Sequence, residues 1–193
     1  MGGISPAEAS ALEETGVRAE KTPLPRIFGV FFNQNQSKVL ADKTVREALA
    51  RAIDKDALVK SVLGGYGTTI DGPIPNAVID ARPSDAAPET NRTEAARALL
   101  TADKWKVNEE TGIMEKKYGS ETRALSFSLA TAATPELKKA AEFAATAWRA
   151  VGAAVELKFF DVSDLNQLVI RPRAYDALLF GEIVGRDLDV FAF

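Results

Sequence analysis

The sequence predicts an α/β fold, a mixed sheet with flanking helices, and three observations carry that prediction. Leu125, Phe127 and Leu129 alternate with Ser126, Ser128 and Ala130, and Val155, Leu157 and Phe159 repeat the two-residue period of a strand. Between them, Leu137, Ala140, Ala141, Ala144, Trp148 and Val151 recur at the three- and four-residue spacing of a helix with one apolar stripe. Tyr175 to Phe180 then reads as a further strand ending at Gly181. This β-α-β-α-β order, closed by right-handed crossovers, makes the three strands neighbours in one sheet.

The remaining elements follow in chain order. Ser5-Pro6-Ala7-Glu8 has the spacing of a capping box, and Gly16 closes the short helix it opens. Pro23 and Pro25 lead into Ile27-Phe28-Gly29-Val30-Phe31-Phe32, an apolar run of a length that suits a buried strand, which stops in the polar turn Asn33-Gln34-Asn35-Gln36. Val45, Ala48, Leu49 and Ala52 form a helical stripe. Asp54 caps a second helix carrying Ala57, Leu58, Val62 and Leu63, closed by Gly64-Gly65. Asp71-Gly72-Pro73-Ile74-Pro75 forbids regular structure, and the text stays loop-like to Pro88. Asn91 and Glu94 are spaced as the capping box of a helix reaching Leu100, while Lys104 to Gly112 reads as a polar connection holding one aromatic, Trp105. Thr134-Pro135-Glu136 starts the long helix with a capping hydroxyl and a first-position proline, and Gly152 ends it. Asp161 or Ser163 caps a short helix through Leu165, Leu168 and Val169.

Composition bounds the chemistry. At 193 residues and 20.7 kDa the chain suits one domain with an appendage. Its 24 basic and 27 acidic residues leave a net charge of −3, which argues against a nucleic-acid partner. There is no His and no Cys, so Ser-His-Asp and Cys-His catalysis, disulfides and thiolate or imidazole zinc sites are excluded. No catalytic residue, metal site or cofactor is expected. No apolar run approaches the roughly 18 residues of a membrane span, and the first ten residues lack the basic and apolar regions of a signal peptide.

Longer stretches of the chain carry a more specific signal. Phe31-Phe32-Asn33 is followed by Asp42-Lys43-Thr44-Val45-Arg46-Glu47-Ala48-Leu49-Ala50-Arg51-Ala52-Ile53-Asp54-Lys55, then Gly64-Gly65-Tyr66-Gly67 and Gly72-Pro73-Ile74-Pro75. Ala95-Ala96-Arg97-Ala98-Leu99-Leu100 and Tyr175-Asp176-Ala177-Leu178-Leu179-Phe180-Gly181 complete the set. Together they resemble the family 5 extracellular solute-binding proteins, the peptide-binding components of ABC importers, from about Arg26 to Phe193. The resemblance implies a periplasmic-binding-protein-like (type II) fold of two lobes. This chain corresponds to most of the second lobe, a fragment that lacks the first lobe and is truncated at its C-terminus. Residues 1–22 are then a lead-in segment and 23–193 the solute-binding lobe. The implied function is solute capture, with a peptide or similar small polar ligand held between two lobes and delivered to ABC permease subunits, and no enzyme activity. The implied location is the periplasm or the outer face of the cytoplasmic membrane, with or without a lipid anchor. The alternatives are a carboxylate-dependent hydrolase using Glu182 and Asp187, or a sugar or metal-complex receptor of the same family.

The expected ligand-binding residues are Phe180, Gly181, Glu182, Ile183, Val184, Gly185 and Asp187, because ligands of open α/β sheets gather at the carboxyl ends of strands. The resemblance implies that this strand end and the loop after it face the cleft and grip the ligand through main-chain groups, as an added strand would be gripped. Glu182 and Gly185 stand where peptide-binding members often carry an aromatic and an Asp that holds the peptide amino group, so Glu182 or Asp187 is left to supply that charge. Elsewhere the bland roles are expected. Arg46 pairs with an acid such as Asp42 or Asp54, Asn33 forms a turn, and Tyr66 and Trp105 make core contacts. Arg171 and Arg173 are solvated or paired with Asp161 or Asp164, and those two acids are helix caps.

Overall fold

A computed structural model describes residues 6–18, 26–70, 72 and 91–183. The chain divides into two compact units. The first comprises Met1–Ile27, Lys55–Asp85 and Gly181–Phe193, and the second Phe28–Asp54 and Ala86–Phe180.

In the first unit, α1 (Pro6–Glu14) closes as expected at Gly16, whose φ of 85° is the left-handed conformation of a helix end. Helix α3 (Lys55–Leu63) is followed by Gly64 and Gly65, also at positive φ, and the Gly65 N–H returns to the Val59 carbonyl at 3.1 Å. Lys55 and Asp56 hold the chain beyond this turn: Lys55 Nζ donates to the Ile70 carbonyl at 2.7 Å, and Thr69 Oγ1 to Asp56 Oδ1 at 3.3 Å. The expected Gly72–Pro75 loop lies outside the described residues apart from Gly72.

The second unit holds the core. A four-stranded sheet runs in the order β1 (Arg26–Phe32), β7 (Ala177–Ile183), β5 (Ser126–Ala132), β6 (Ala154–Phe160). Strand β5 is parallel to both β6 and β7, with Leu129 opposite Leu157 on one side and Ala177 on the other. The Asn33 N–H, just past β1, donates to the Asp176 carbonyl, just before β7, at 2.8 Å, so β1 runs against β7 and the sheet is mixed. The predicted strands share one sheet, but β6 and β7 flank β5 and do not touch each other. Strand β7 also runs on past Gly181 to Ile183.

Both faces of β5 are covered, which corrects the half-buried strand expected from its serines. Phe127 and Leu129 enter the main core beneath α2 (Lys43–Ala52), α4 (Arg92–Ala102) and α5 (Pro135–Val151). Ala130 and Ala132 face a second cluster with Leu165, Val169 and Leu178. Ser128 is tolerated inside because its N–H and Oγ both bond Asp176 Oδ2 at 2.8 Å. Strand β1 is at the sheet edge and half-buried, with Phe28 exposed, rather than the buried strand its apolar run suggested.

Helix α5 follows its predicted stripe: Ala141, Ala144, Trp148 and Val151 are buried. Trp148 Nε1 donates to the Leu49 carbonyl at 2.9 Å, tying α5 to α2. Thr134 sits at the N-cap but its hydroxyl makes no capping bond; Pro135 alone carries the predicted start signal. Asn91 does cap α4, accepting from Glu94 N–H. The predicted short helix after Asp161 is one turn, α6 (Val162–Asp164), continuing as a π-helical turn over Leu165–Ile170 that buries Leu165 and Val169 and exposes Leu168.

The polar stretch after Trp105 is not a plain connection. It forms a second, antiparallel sheet of β2 (Lys106–Val107), β3 (Met114–Tyr118) and β4 (Glu121–Ala124). Trp105 is fully buried in the main core, the structural role expected of it.

Candidate functional site

The parallel strands β5, β6 and β7 end on the same side of the sheet, at Ala132, Phe160 and beyond Phe180. The Ala133 N–H joins the first two ends by donating to the Phe160 carbonyl at 2.8 Å. Thr131 joins β5 to β7 from within: its buried Oγ1 donates to the Leu179 carbonyl at 2.8 Å, one residue before Phe180. Phe31, Leu137, Phe160 and Phe180 are partly buried and pack against the second apolar cluster.

Phe180 and Gly181 are half-buried within β7. Glu182 and Ile183 are the last described residues of the same strand. Val184, Gly185 and Asp187 lie outside the described residues. The register explains why this end is distinctive. Leu179 stands opposite Thr131, one residue before β5 stops, while β7 continues to Ile183.

The other end of β7 is fixed by Asn33. Its Oδ1 accepts from the Asn35 and Gln36 N–H groups at 3.2 and 3.3 Å, the predicted turn-forming role. Its Nδ2 also donates to the Arg173 carbonyl at 2.9 Å, 140 residues away in sequence. Arg173 holds φ at 55°, which presents that carbonyl to Asn33. Arg171 and Arg173 are exposed, and among the described residues neither pairs with Asp161 or Asp164. Asp161 occupies the N-cap of α6 without a side-chain capping bond.

Among the described residues Arg46 pairs with no acid. Its Nη1 donates to the Leu40 and Ala41 carbonyls at 2.8 and 2.9 Å, leaving Asp42 free for a different task. Asp42 Oδ1 accepts from Thr44 N–H as the cap of α2, while Oδ2 accepts from Lys116 Nζ at 3.0 Å and Tyr118 Oη at 2.8 Å. Lys116 also reaches Asp103 Oδ2 at 2.6 Å. Burial by itself would raise the Asp42 carboxyl and lower the Lys116 ammonium. The hydrogen bonds outweigh it, leaving Asp42 below and Lys116 well above their ordinary values. Tyr118 is pushed up, by burial first and by its bond to Asp42 second. Nothing in the spacing of these residues announced the cluster, because its members are up to 76 residues apart.

Over residues 1–189 the sequence matches the bacterial extracellular solute-binding proteins, family 5 Middle. The chain belongs to that family. Among other family 5 proteins, the glutathione-binding protein GsiB of Pectobacterium atrosepticum is 34% identical over 74 residues, which are 38% of this chain and 14% of that protein. The solved oligopeptide-binding protein AppA of Bacillus subtilis, in complex with a nonapeptide, has a TM-score of 0.71 at 24% identity, covering 83% of this chain and 32% of AppA. NikA of Brucella suis, in complex with Fe(III)-EDTA, has a TM-score of 0.71 at 26% identity, covering 98% and 37%. The substrate-binding protein CtaP of Listeria monocytogenes has a TM-score of 0.73 at 18% identity, covering 94% and 35%. The chain thus spans about a third of the length of these solved family 5 structures and a smaller share of the curated relative. Their fold is the one expected, a mixed α/β arrangement of the periplasmic-binding-protein type. No described helix is long and apolar enough to cross a membrane.

Proposed function

We propose that this chain supplies one wall of a solute receptor for an ABC importer, and that its solute is a peptide or similar polar oligomer. The wall is the carboxyl end of β7 and the residues after it: Phe180, Gly181, Glu182, Ile183, Val184, Gly185 and Asp187. The observation that carries this reading is that β7 outruns β5, so that main-chain groups near Gly181 lie past the end of the β5 ladder, where an extended ligand can pair with them. Backbone pairing gives affinity with little demand on side-chain sequence, which suits a receptor for varied peptides. Glu182 or Asp187 holds a ligand cation, such as a peptide amino group. The role is capture rather than catalysis: two lobes close on the ligand, and the closed form is presented to the permease. The working location is the periplasm or the outer face of the cytoplasmic membrane. AppA with its nonapeptide supports the peptide reading by likeness, as GsiB does through the tripeptide in its name.

The test is a titration of the isotopically labelled 193-residue chain with tri-alanine and a nonapeptide, read as amide chemical shifts. Residues Phe180 to Ile183 are expected to shift progressively, saturating only at millimolar peptide, because this chain offers a share of the contacts. Unmoved amides at that strand end would sink the assignment of the wall. Micromolar affinity would overturn the claim that a second lobe supplies the rest.

A further inference from the structure

Strand β6 ends the four-stranded sheet, and its outer edge carries a pattern that fits itself. The Ala154 N–H donates to the Leu125 carbonyl, and the Phe160 carbonyl accepts from Ala133, so the even-numbered residues of β6 turn their backbone groups toward β5. Strand alternation then aims the N–H and C=O of Val155, Leu157 and Phe159 outward. The Val155 carbonyl is met by Arg149 Nη2 at 2.6 Å. Among the described residues, no hydrogen bond reaches the outward groups of Leu157 or Phe159. Such a row of free donors and acceptors is a template for another strand.

The side chains select which strand. Glu156 and Lys158 are both exposed, on one face of the strand, and 3.3 Å apart. An antiparallel copy of β6 centred on Leu157 sets Glu156 opposite the second copy's Lys158, and Lys158 opposite its Glu156. Val155, which is buried and whose carbonyl Arg149 already engages, falls opposite Phe159 and adds little, so the pairing rests on the main-chain groups of Leu157 and the two charge pairs. Shifting the centre to Lys158 aligns the two lysines and loses both charge pairs. In the favoured register, Leu157 faces its own copy through two main-chain hydrogen bonds, and Glu156 and Lys158 form the closer, non-hydrogen-bonded pairs.

We propose that the β6 edge is a self-association surface, through which a second copy of this chain adds antiparallel about a two-fold axis at Leu157, extending the sheet across both molecules. The contact is one strand wide, below the roughly 1,200 Å² of a standard interface, so the dimer is weak and concentration-dependent.

Charge reversal tests it by sedimentation equilibrium over a concentration series. Glu156→Lys alone and Lys158→Glu alone place like charges opposite each other, and each is expected to shift the association at least tenfold toward monomer. The double variant E156K/K158E, and an equimolar mixture of the two single variants, should restore association. Circular dichroism verifies that each variant is folded, which is expected because both side chains are exposed. The absence of native cysteine permits a register check: E156C mixed with K158C should cross-link on mild oxidation faster than either variant alone. A wild-type chain that stays monomeric to millimolar concentration would overturn the proposal. So would a dimer indifferent to charge reversal, or cross-linking no faster in the mixture.

Discussion

Asp42 shows how much one side chain can hold when both carboxylate oxygens are used. Oδ1 caps α2, and Oδ2 binds Lys116 and Tyr118 in a partly buried setting. An Asn at this position still caps a helix well, so Asp42→Asn removes the charge and spares the cap. It is expected to cost about 2 kcal/mol, the loss of charge-assisted hydrogen bonds, and Asp42→Ala about 1 kcal/mol more for the cap, both read from urea unfolding. The pH dependence follows from the directions of the shifts. The Asp42 pKa is depressed in the folded state, so its contribution is complete above the unfolded value of about 3.9 and is lost as pH falls through the folded value. Lys116 and Tyr118 are raised, so their contributions are complete below about pH 10 and are lost as pH climbs through the folded values. The D42N variant should therefore show a shallower loss of stability both below pH 4 and above pH 10. A variant whose curve parallels the wild type at both ends would show that the cluster contributes no linked protonation.

At the scale of elements, legibility tracked how a segment meets its polar needs. Helix α5 was plain in the sequence because its stripe, its first-position proline and its final glycine are all local signals. The small sheet β2-β3-β4 was not, because MEKKY has none of the alternation of a half-buried strand. Its Lys116 is inward and stable there only because Asp42 and Asp103 arrive from remote helix ends. Period-two reasoning treats a lysine as solvent-facing, so a strand that buries a paired lysine escapes it. Gly152 joins the two cases. It ends α5 at φ 108°, and its carbonyl accepts from the Met114 N–H at 2.8 Å as β3 begins. A Cβ built on Gly152 would lie 2.9 Å from Met114 Cγ, with backbone atoms of Gly112 and Met114 at 3.5 Å. Gly152→Ala thus combines left-handed strain with a clash that the close backbone hinders from relaxing. Its expected cost is about 2 kcal/mol or more, measured as a lower Tm. An unchanged Tm would mean that the α5–β3 junction yields freely.

Across the molecule, the sequence was most readable where burial is deepest and least readable at the site. The order of strands and helices from Leu125 to Phe180 was legible because a core imposes its period on every residue facing it. The end of β7 is less legible: Gly181 reads as the close of the strand, whereas the strand continues two residues further. The same depth of burial ranks the stability of the parts. Strand β5 is covered on both faces and paired on both sides, so its amides open only with the whole domain. Helix α3 buries no residue fully, and α1 only Ala9 among the residues whose side chains are described, so both open locally at little cost. Hydrogen exchange should show β5 slowest and α1 and α3 fastest, with rates separated by orders of magnitude. Strand β6 gives the discriminating case, because alternate amides face opposite ways. In dilute solution Glu156 and Lys158, whose N–H groups point into the sheet, should exchange slowly, while Leu157 and Phe159 exchange fast. Raising the protein concentration should slow Leu157 and Phe159 selectively if a second copy covers the edge. Uniform rates along β6 at every concentration would contradict both the strand's orientation at the sheet edge and the pairing drawn from it.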